Sequence, residues 1–567
     1  MAQARAEDWI SRQGIRPARL AGLVTDPDGA RHVTLMNLVF RDDYGLAHKT
    51  SVALAPCPAA SPDRPLALSF DSHSNAFPED FYCRIGVTQA VFRATLRAAS
   101  CRVRVIRRDP AGKEQLLAEA DGHGDLAVSM PVDLLPGGSR CIVQIDATPD
   151  LTILQAGWTA PAPDICRPLG LSITTYNKEP YLRANLQTIL DSTPAQDGLL
   201  EVLVVNNGRP IDSLPGTVTV ITRDNIGGTG GFITAYEHFR QRGFAHFLVM
   251  DDDILIAPDF LERIYAISCF ARGVHVGAIA EIQNTPKRRI KEQGARISRS
   301  EVMGLELHNE DLLLDGPDLP RLYAAEDSEY GGWWGLLVDL SAPRRLPPAY
   351  FFIKRDDISF GVDSAAAGCP TLVFPNLHVT HSEIGSPVYF YFDVRNDLVM
   401  RARSDPPMPL DPWHLRVVAN WCLVTLQPDR QQMLNRAIRD FLRGPEALAA
   451  LDPHALLADL RQLADPAMPW PADAPVLTVA DAGQHGRAVD FLRWRSYRQD
   501  GPVPVIVGNP TGLTGGRAAY YEGQPGTDTV RLHKRRFRSL WHYLHTLILL
   551  RRLKRRYPAM QERYARP

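Results

Sequence analysis

The sequence predicts an α/β domain in the middle of the chain, with an all-β domain before it and a helical region after it. Three observations carry this prediction: short β-branched segments up to about residue 160, alternating strand and helix patterns from Leu169, and helical spacing after about residue 405. A chain of 567 residues is also too long for one hydrophobic core. We expect domains at 1–160, 165–405 and 406–530, followed by a basic tail at 531–567.

Composition excludes several classes of protein. Lys plus Arg, 63, nearly balances Asp plus Glu, 64, so no overall charge favours nucleic acid as a partner. The eight cysteines are scattered without a Cys-x-x-Cys pair, which indicates reduced thiols and a cytoplasmic protein. The N-terminus lacks the apolar core of a signal peptide, and no apolar run reaches the ~20 residues of a membrane span.

The first 160 residues read as β-structure. Turn signals at 109–112 and 136–138 separate segments with strand character at 31–35, 90–96, 101–106 and 141–145. Such spacing predicts a β-sandwich or jelly roll, either as a carbohydrate-binding module or as a scaffold. Pro161-Ala162-Pro163 marks the linker to the next domain.

The α/β pattern begins with a strand at 169–174, a helix at 181–190 and a second strand at 200–205. The loops after these strands, Thr175 to Pro180 and Asn206-Asn207-Gly208, are rich in hydroxyl and amide groups. Because open α/β sheets bind ligands at the carboxyl ends of their strands, these loops are candidates for holding a nucleobase and ribose. A turn rich in Asn and Thr is the competing interpretation.

The segment from Phe247 to Asp253 is a short apolar run that ends in three aspartates. It predicts a buried strand that delivers carboxylates to the ligand-binding edge. Alternation along a strand puts Asp251 and Asp253 on one side and turns Asp252 away, so two carboxylates can share one Mg²⁺ or Mn²⁺ ion. The alternative is an acidic turn or helix cap.

A glycine-rich segment precedes this strand by about 20 residues. Asn225 to Phe232 contains four glycines, and helical spacing follows from Ile233 to Arg242. Glycine lets backbone amides approach an anion closely, and a helix N-terminus adds partial positive charge, so the segment suits a diphosphate. It is neither a Walker loop nor a dinucleotide fingerprint.

Three clusters in the second half complete the candidate site. Trp333 and Trp334 lie among glycines, where indole rings either stack on sugars or belong to the core. Asp356 and Asp357 follow an apolar run, and such a carboxylate can accept a proton from an attacking hydroxyl. His381 ends another strand-like run and is a candidate third metal ligand, with a structural role as the alternative.

In this order the clusters resemble the inverting nucleotide-sugar glycosyltransferases of the GT-A fold, and among them the bacterial galactofuranosyltransferases. The resembling motifs are Thr175-Tyr-Asn177, Asn225-Ile-Gly-Gly-Thr-Gly-Gly231, Met250-Asp-Asp-Asp253, Gly332-Trp-Trp334, Phe352-Ile-Lys-Arg-Asp-Asp357 and Val379-Thr-His381. The resemblance spans about 165–405 and extends upstream to Phe70-Asp71-Ser72 and Asn75-Ala-Phe-Pro78, which resemble the N-terminal β-module of the family.

The resemblance implies a role for each of these residues. Asp251, Asp253 and His381 would bind Mn²⁺ or Mg²⁺, Asp357 would be the general base with Asp356 beside it, and Trp333 and Trp334 would line the acceptor pocket. The residues implied in donor binding are Thr175, Tyr176, Asn177, Lys178, Asn206, Asn207, Asn225, Gly227, Gly228, Gly230, Gly231 and Asp252.

The implied reaction is attack by an acceptor hydroxyl on the anomeric carbon of UDP-galactofuranose, with inversion of configuration, to extend a cell-surface glycan such as galactan. Three departures bear on this. Asn206-Asn207-Gly208 stands where the family has Asp-Gln-Gly, Lys178 replaces an arginine, and an acidic acceptor residue near Gly294-Ala295-Arg296 is absent. Another donor, as in a rhamnosyltransferase, and a non-catalytic carbohydrate-binding scaffold are the alternatives.

After residue 405 helical spacing covers 413–426, 430–442 and 445–463. The tail, 531–567, holds twelve Lys or Arg and one acidic residue, Glu562, around a leucine-rich and aromatic stretch. This composition favours an anionic membrane surface, where a lipid-linked acceptor would lie, over a helix packed on its own domain. We therefore expect a peripheral protein on the inner face of the plasma membrane. The resemblance also implies a homo-oligomer.

Overall fold

The computed structural model describes 15–41 except 18, 21 and 28, and 66–464 except 258, 283–288, 314–318, 325, 342–344 and 382–385. It also describes 468–471, 476–479, 505–508, 520–523, 529–533 and 536–565. The chain divides into two compact units. The first consists of 1–296, 306–346 and 360–383, and the second of 297–305, 347–359 and 384–567.

The first unit begins with β-structure, as the alternating pattern predicts. Its elements are β1 (Ile15–Pro17), β2 (Leu23–Thr25), β3 (Arg31–Asn37), β4 (Val39–Arg41), β5 (Leu66–Ser69), β6 (Phe77–Pro78), α1 (Glu79–Arg84), β7 (Gln89–Arg108), β8 (Glu114–Asp133), β9 (Arg140–Ala147) and β10 (Thr152–Pro161). The main sheet has the order β2-β3-β10-β7-β9-β5, with β8 against β7 and β6 against β9. Strands predominate, as predicted, with one short helix, α1, among them, while the sandwich or jelly-roll arrangement stays a prediction.

One detail of this sheet differs from the sequence analysis. The segments 90–96 and 101–106, predicted as separate strands, belong to the single strand β7. A register shift between Ala98 and Cys101 interrupts its pairing with β8, but the strand continues. A bulge therefore lies where two separate strands were predicted, since one extra residue can bend a strand without ending it.

The α/β part of the first unit is a curled mixed sheet with helices. The elements are β11 (Leu169–Thr175), α2 (Glu179–Leu190), α3 (Thr193–Gln196), β12 (Leu200–Asn206), β13 (Val218–Thr222), α4 (Gly227–Gln241), β14 (His246–Asp251), β15 (Ile254–Ile256), α5 (Phe260–Phe270), β16 (His275–Ile282), β17 (Ile290–Glu292), β18 (Ala295–Ile297), β19 (Leu305–Leu307), a 3-10 turn (Leu319–Tyr323), β20 (Asp327–Ser328) and β21 (Leu336–Asp339). A further 3-10 turn (Ala349–Phe351) and the first residues of α6 (Asp356–Ala366) belong to the second unit, whereas the rest of α6 and β22 (Thr371–His381) belong to the first.

The order of this sheet brings several strand ends to one edge. It runs β13-β12-β11-β14-β21-β16-β22-β15, with β13, β12, β11 and β14 parallel to one another. Strand β21 is antiparallel to both β14 and β16, and β16 is parallel to β22. Strands β14 and β22 therefore run in the same direction, so Asp251 and His381, the last residues of these strands, lie at the same edge.

The glycine-rich segment is not a loop before a helix, as the sequence analysis predicts, but the beginning of helix α4 itself. The helix begins at Gly227, and Gly230 and Gly231 are buried within it. A Cβ on Gly231 would lie 2.2 Å from Oγ1 of Thr174 on β11, and one on Gly230 would lie 2.6 Å from Cβ of Ile226. These two glycines therefore permit close packing, which outweighs the low helix propensity of glycine.

We expect Gly231→Ala to lower the free energy of unfolding by about 3 kcal/mol, because the added methyl group overlaps the Thr174 side chain. Urea denaturation measures this change. Gly216→Ala is the matched control, since a Cβ there has no atom within 4 Å. Adding Thr174→Ala should restore part of the loss, and an unaltered stability of Gly231→Ala would contradict the packing account.

The second unit is largely helical. Its helices are α7 (Tyr389–Arg403), α8 (Trp413–Val424), α9 (Pro428–Arg443), α10 (Pro445–Ala449), α11 (Pro453–Leu463) and α12 (Arg536–Ala565). The predicted helix 445–463 is two helices, because α10 ends at Ala449 and a new helix begins at Pro453. The Asp452 side chain caps α11 by accepting hydrogen bonds from His454 N and Ala455 N. The other two predicted helices are present as α8 and α9.

The expectation that 406–530 is helical is wrong for its last part. Five short strands follow α11: β23 (Met468–Pro469), β24 (Val476–Val479), β25 (Val505–Gly508), β26 (Tyr520–Gly523) and β27 (Thr529–His533). They form a sheet of order β23-β27-β26-β25-β24. The β-branched runs Val476-Leu-Thr-Val479 and Val505-Ile-Val507 favour these strands over the predicted helical structure.

Among the described residues, no helix is both long and apolar enough to cross a membrane. The seven cysteines of the described ranges are all free thiols, as the scattered spacing predicts, and Cys57 lies outside these ranges.

Candidate active site

The metal ligands predicted from the sequence lie together at one edge of the mixed sheet. Asp251 ends β14, and the chain turns through Asp252 and Asp253 into β15. Strand β15 is antiparallel to β22, with Ile254 opposite His381. This pairing brings the strand end that carries the aspartates beside the strand end that carries the histidine.

The three side chains form a group that suits a divalent ion. One ligand atom from each of Asp251, Asp253 and His381 lies within 4.8 Å of the other two, and all three residues are half-buried. His381 Nε2 lies 3.6 Å from Asp251 Oδ2. Two carboxylates and one imidazole suit Mn²⁺ well, and the carboxylates also suit Mg²⁺. The three side chains lie together, as predicted, and their binding of a metal ion stays a prediction.

Asp252 points away from this group, as strand alternation predicts. It is 6% exposed, and its Oδ2 accepts a hydrogen bond of 2.8 Å from the buried hydroxyl of Thr175. Burial raises the pKa of Asp252 to about 6, although Lys178 and Thr175 act in the opposite direction. The side chains of Asp252 and Thr175 therefore join the ends of β14 and β11, and a donor contact through either stays a prediction.

Lys178 supplies positive charge to the same edge. Its Nζ lies 2.6 Å from Asp253 Oδ2 and 3.6 Å from Asp252 Oδ1. Burial alone would lower the pKa of Lys178, but Asp252 and Asp253 outweigh burial and raise it, so the side chain is an ammonium ion at neutral pH. The ammonium group neutralises part of the charge of three adjacent carboxylates, and it would compete with a bound metal ion for Asp253.

The amide side chains predicted to bind the donor hold the edge loops in place. Asn206 Nδ2 donates to Arg209 O at 2.8 Å, and Arg209 N donates to Asn177 Oδ1 at 2.9 Å. Asn207 Nδ2 donates to Gly227 O at 3.0 Å, and Gly227 N donates to Asn225 Oδ1 at 3.1 Å. The loops after β11 and β12 are thus tied together, and the loop after β12 is tied to the start of α4.

The remaining donor candidates lie close to these loops in sequence. Tyr176 is 48% exposed, which leaves its ring open to a ligand. Gly227 and Gly228 begin helix α4, where the helix dipole favours an anion, although the Gly227 amide already donates to Asn225 Oδ1. Gly230 and Gly231 are packed as described above. The two halves of the glycine-rich segment therefore differ, because only the first half lies at the helix N-terminus.

The paired tryptophans are in different surroundings. Trp333 is 8% exposed and stacks on Phe232 with ring centroids 3.8 Å apart, so it belongs to the core. Trp334 is half-buried, and its ring centroid lies 5.8 Å from that of His381. Trp334 is therefore the better candidate for contact with a sugar beside the metal ligands. An acceptor-binding role for Trp333 stays a prediction.

The second carboxylate pair begins helix α6 and belongs to the second unit. Asp356 is 6% exposed, and Asp357 is half-buried with its Oδ1 accepting from Ile358 N at 2.8 Å. The turn before the helix is strained, because Phe352, Lys354 and Arg355 have φ values of 66°, 68° and 65°. Strain of this kind persists only where surrounding groups hold the backbone.

Arg395 and Asn396 on helix α7 hold this turn, and the sequence analysis missed both. Asn396 is fully buried, and its Nδ2 donates to the carbonyl oxygens of Phe351 at 3.0 Å, Ile353 at 3.0 Å and Lys354 at 2.7 Å. Arg395 donates to Phe351 O at 3.1 Å. No spacing in the sequence distinguishes this asparagine, since its partners are backbone atoms more than 40 residues away.

Asn396→Ala should lower the free energy of unfolding by about 3 kcal/mol, because it leaves buried carbonyl groups without a donor beside a strained turn. Urea denaturation measures the loss. Gln432→Ala is the control, since that amide donates to one backbone carbonyl, Pro428 O, and should cost less than about 1 kcal/mol. Equal stability of the two variants would contradict the role assigned to Asn396.

Comparison with known proteins finds sequence matches over part of the chain. Residues 171–313 match the model of glycosyl transferase family 2. The chain is similar to galactofuranosyltransferase GlfT2 of Mycolicibacterium smegmatis, with 26% identity over 436 residues that make up 70% of this chain and 67% of the relative. It is 27% identical to GlfT2 of Mycobacterium tuberculosis over 432 residues, 69% of this chain and 67% of that one.

Solved structures give more distant matches. A structure of GalNAc-T7 with UDP, GalNAc and Mn²⁺ is 14% identical with a TM-score of 0.33, and the match covers 43% of this chain and 49% of that chain. A mannosyltransferase from Pyrobaculum calidifontis with GDP-Man and Mn²⁺ is 16% identical with a TM-score of 0.28, covering 54% and 82%. By sequence, residues 171–313 match the model of glycosyl transferase family 2, and the chain is similar to relatives named galactofuranosyltransferase over about 70% of its length.

Proposed function

We propose that this protein is a metal-dependent, inverting glycosyltransferase of the GT-A type that transfers galactofuranose from UDP-galactofuranose to a hydroxyl group of a cell-surface glycan. The observation that carries the proposal is the grouping of Asp251, Asp253 and His381 at one sheet edge, within the α/β domain that contains the family 2 segment. The similarity to relatives named galactofuranosyltransferase supports the choice of sugar.

In this proposal the chain binds the donor at the edge of the sheet. Asp251, Asp253 and His381 hold Mn²⁺ or Mg²⁺, which would supply positive charge to the departing diphosphate. The amides at the start of helix α4 add partial positive charge for the same phosphates. Tyr176 and the loop that contains Asn177 and Lys178 bind the uridine portion, since their groups suit a base, a ribose and a phosphate.

Asp357 serves as the general base. It accepts the proton of the acceptor hydroxyl while the hydroxyl oxygen forms a bond to the anomeric carbon from the face opposite UDP. The bond between that carbon and the UDP oxygen breaks as the new bond forms, so configuration inverts. Asp356 beside it orients the acceptor, and Trp334 offers an indole face to the sugar ring.

UDP release tests the donor assignment directly. Purified full-length protein with Mn²⁺ and a galactofuranosyl lipid mimic should release UDP from UDP-galactofuranose far faster than from UDP-galactopyranose or UDP-glucose. Parallel reactions with dTDP-rhamnose, read as dTDP release, test the rhamnosyltransferase alternative. Turnover of a different donor would keep the chemistry and reject the sugar. Absence of nucleotide release with every donor would favour the non-catalytic carbohydrate-binding scaffold.

We also propose that helix α12 places the protein on an anionic membrane surface, where a lipid-linked acceptor lies. One side of α12 packs within the second unit through residues such as Tyr543, Leu553 and Tyr557. The other side exposes a stripe of apolar side chains spaced three or four residues apart, formed by Phe537, Trp541, Leu544 and Ile548 at 81%, 71%, 50% and 64% exposure. Exposed arginines at 551, 552 and 555 follow.

In this proposal, one side of α12 packs on its own domain and the other side meets the membrane, so each interpretation of the tail from the sequence describes one side of the helix. Basic residues beside an exposed apolar stripe match the interface of anionic lipids, because the arginines meet headgroups while the apolar side chains enter the acyl boundary. A cytoplasmic protein that is peripheral to the inner face of the plasma membrane follows from this proposal.

Trp541→Ser combined with Ile548→Ser should weaken binding to phosphatidylserine-containing vesicles by about 100-fold, because two large apolar side chains no longer enter the lipid. Vesicle sedimentation measures the affinity. Trp413→Ser is the matched control, since Trp413 is 61% exposed on helix α8, outside the stripe. If the double variant and the control bind alike, helix α12 is not the membrane contact.

A further inference from the structure

A second cluster of potential metal ligands lies inside the first unit. His73, Glu281 and His378 are 0%, 3% and 7% exposed, and one ligand atom from each lies within 4.8 Å of the others. None of the three belongs to the site described above. We propose that they bind a metal ion of the zinc type, separate from the ion of the sheet edge.

The distances within this cluster suit coordination better than hydrogen bonding. Nε2 of His73 and Nε2 of His378 lie 3.7 Å and 3.6 Å from the same carboxylate oxygen, Glu281 Oε1. Such separations are too long for hydrogen bonds. Donor atoms that share one ion at ~2.1 Å with angles of ~110–120° stand about 3.4–3.6 Å apart, which is close to the observed spacing.

The nature of the ligands points to the class of ion. Two imidazoles and one carboxylate are a ligand set that zinc and related transition metals accept readily, whereas Mg²⁺ and Ca²⁺ prefer oxygen atoms. The two imidazole rings meet edge to face, with centroids 4.8 Å apart. A fourth oxygen is nearby, because the buried Ser74 hydroxyl lies 3.1 Å from His73 Nε2. That hydroxyl or a water molecule would complete a closed, four-coordinate site.

The electrostatics of burial favour the same conclusion. A carboxylate at 3% exposure needs a positive partner or a proton, since an isolated charge in the interior is costly. A divalent ion neutralises Glu281 while both histidines stay neutral. Protonation of one imidazole instead would put a cation beside a second imidazole with the ring centroids only 4.8 Å apart.

The position of the cluster suggests a structural role. His73 lies in the loop after β5, Glu281 lies near the end of β16 and His378 lies on β22. Glu281 and Thr380 are paired across β16 and β22, so Glu281 and His378 share one face of the sheet. His381, three residues after His378, points to the other face. An ion bound here would fix the end of β22 and thereby position His381.

The test counts metal ions in the purified full-length chain. In a double variant, Asp251→Asn with His381→Ala, the group at the sheet edge can no longer bind zinc. After loading this variant with Zn²⁺ and removing free ions by gel filtration, we expect about one zinc per chain by elemental analysis. Adding His378→Gln should reduce this to near zero. Adding His246→Gln instead should leave zinc bound, because His246 is equally buried but lies outside the cluster.

Cobalt gives a second readout that needs no variant of the cluster. The same background loaded with Co²⁺ should show the strong visible absorption of four-coordinate cobalt, even if His378→Gln fails to fold. Absence of bound metal after loading with Zn²⁺, Co²⁺, Mn²⁺ and Fe²⁺ in turn would overturn the proposal. Full retention of zinc by a folded His378→Gln variant would overturn it as well. Neither result depends on glycosyltransferase activity.

Discussion

Asp253→Asn and Asp251→Asn should each lower kcat/KM for UDP release by about a thousandfold or more in the presence of Mn²⁺. In the proposed function, each substitution removes one of the two carboxylates that would hold the ion with His381, so the departing diphosphate would lose its counter-charge. Steady-state UDP release measures the effect on turnover, and electron paramagnetic resonance of free Mn²⁺ measures the loss of ion binding.

The control for these variants is a carboxylate elsewhere in the first unit. Asp125 forms an exposed pair with Arg97 on the long β-hairpin, so Asp125→Asn should leave both Mn²⁺ binding and turnover unchanged. If either Asp251→Asn or Asp253→Asn keeps full turnover, the assigned metal site takes no part in the reaction.

Asp357→Asn should lower kcat by about a thousandfold while the affinity for UDP and Mn²⁺ stays unchanged. The amide cannot accept the proton of the acceptor hydroxyl, but it preserves the size of the side chain and its place at the start of helix α6. Rapid-quench measurement of transfer, together with titration of UDP binding, separates the chemical step from donor binding.

The pH profile distinguishes a base from a structural carboxylate. For a carboxylate base, kcat rises with pH as the group loses its proton, and Asp357→Asn should abolish that rise. Asp459→Asn is the control, because Asp459 is an exposed carboxylate of the same unit. A variant at Asp357 that keeps the same pH profile with a small drop in kcat would assign the proton transfer to another residue.

The sequence predicts the proximity of Asp251, Asp253 and His381 well because its signals are local. An apolar run that ends in Asp251, Asp252 and Asp253 fixes both the strand and the direction of each carboxylate, since side chains alternate along a strand. His381 follows from the same argument on another strand. What the sequence does not show is the antiparallel pairing of β15 with β22, which puts Ile254 opposite His381 and brings the two strand ends together.

The predictions that differ from the structure depend on tertiary contacts. Glycine propensity argues for a loop at 227–231, but close packing of Gly231 on Thr174 makes it helical. Adjacent indoles look alike in sequence, yet Trp333 stacks on Phe232 while Trp334 lies near His381. The role of Asn396 is also invisible, because its hydrogen bonds go to backbone atoms distant in sequence.

Analysis of the transfer product tests the central claim most directly. The purified chain, incubated with UDP-galactofuranose, Mn²⁺ and a synthetic galactofuranosyl acceptor, should extend the acceptor by galactofuranosyl residues whose anomeric configuration is opposite to that of the donor. Mass spectrometry detects the added sugar, and nuclear magnetic resonance of the anomeric proton and carbon reports the configuration. Product with retained configuration would contradict the proposed reaction. Hydrolysis of UDP-galactofuranose with no extension of the acceptor would contradict it as well.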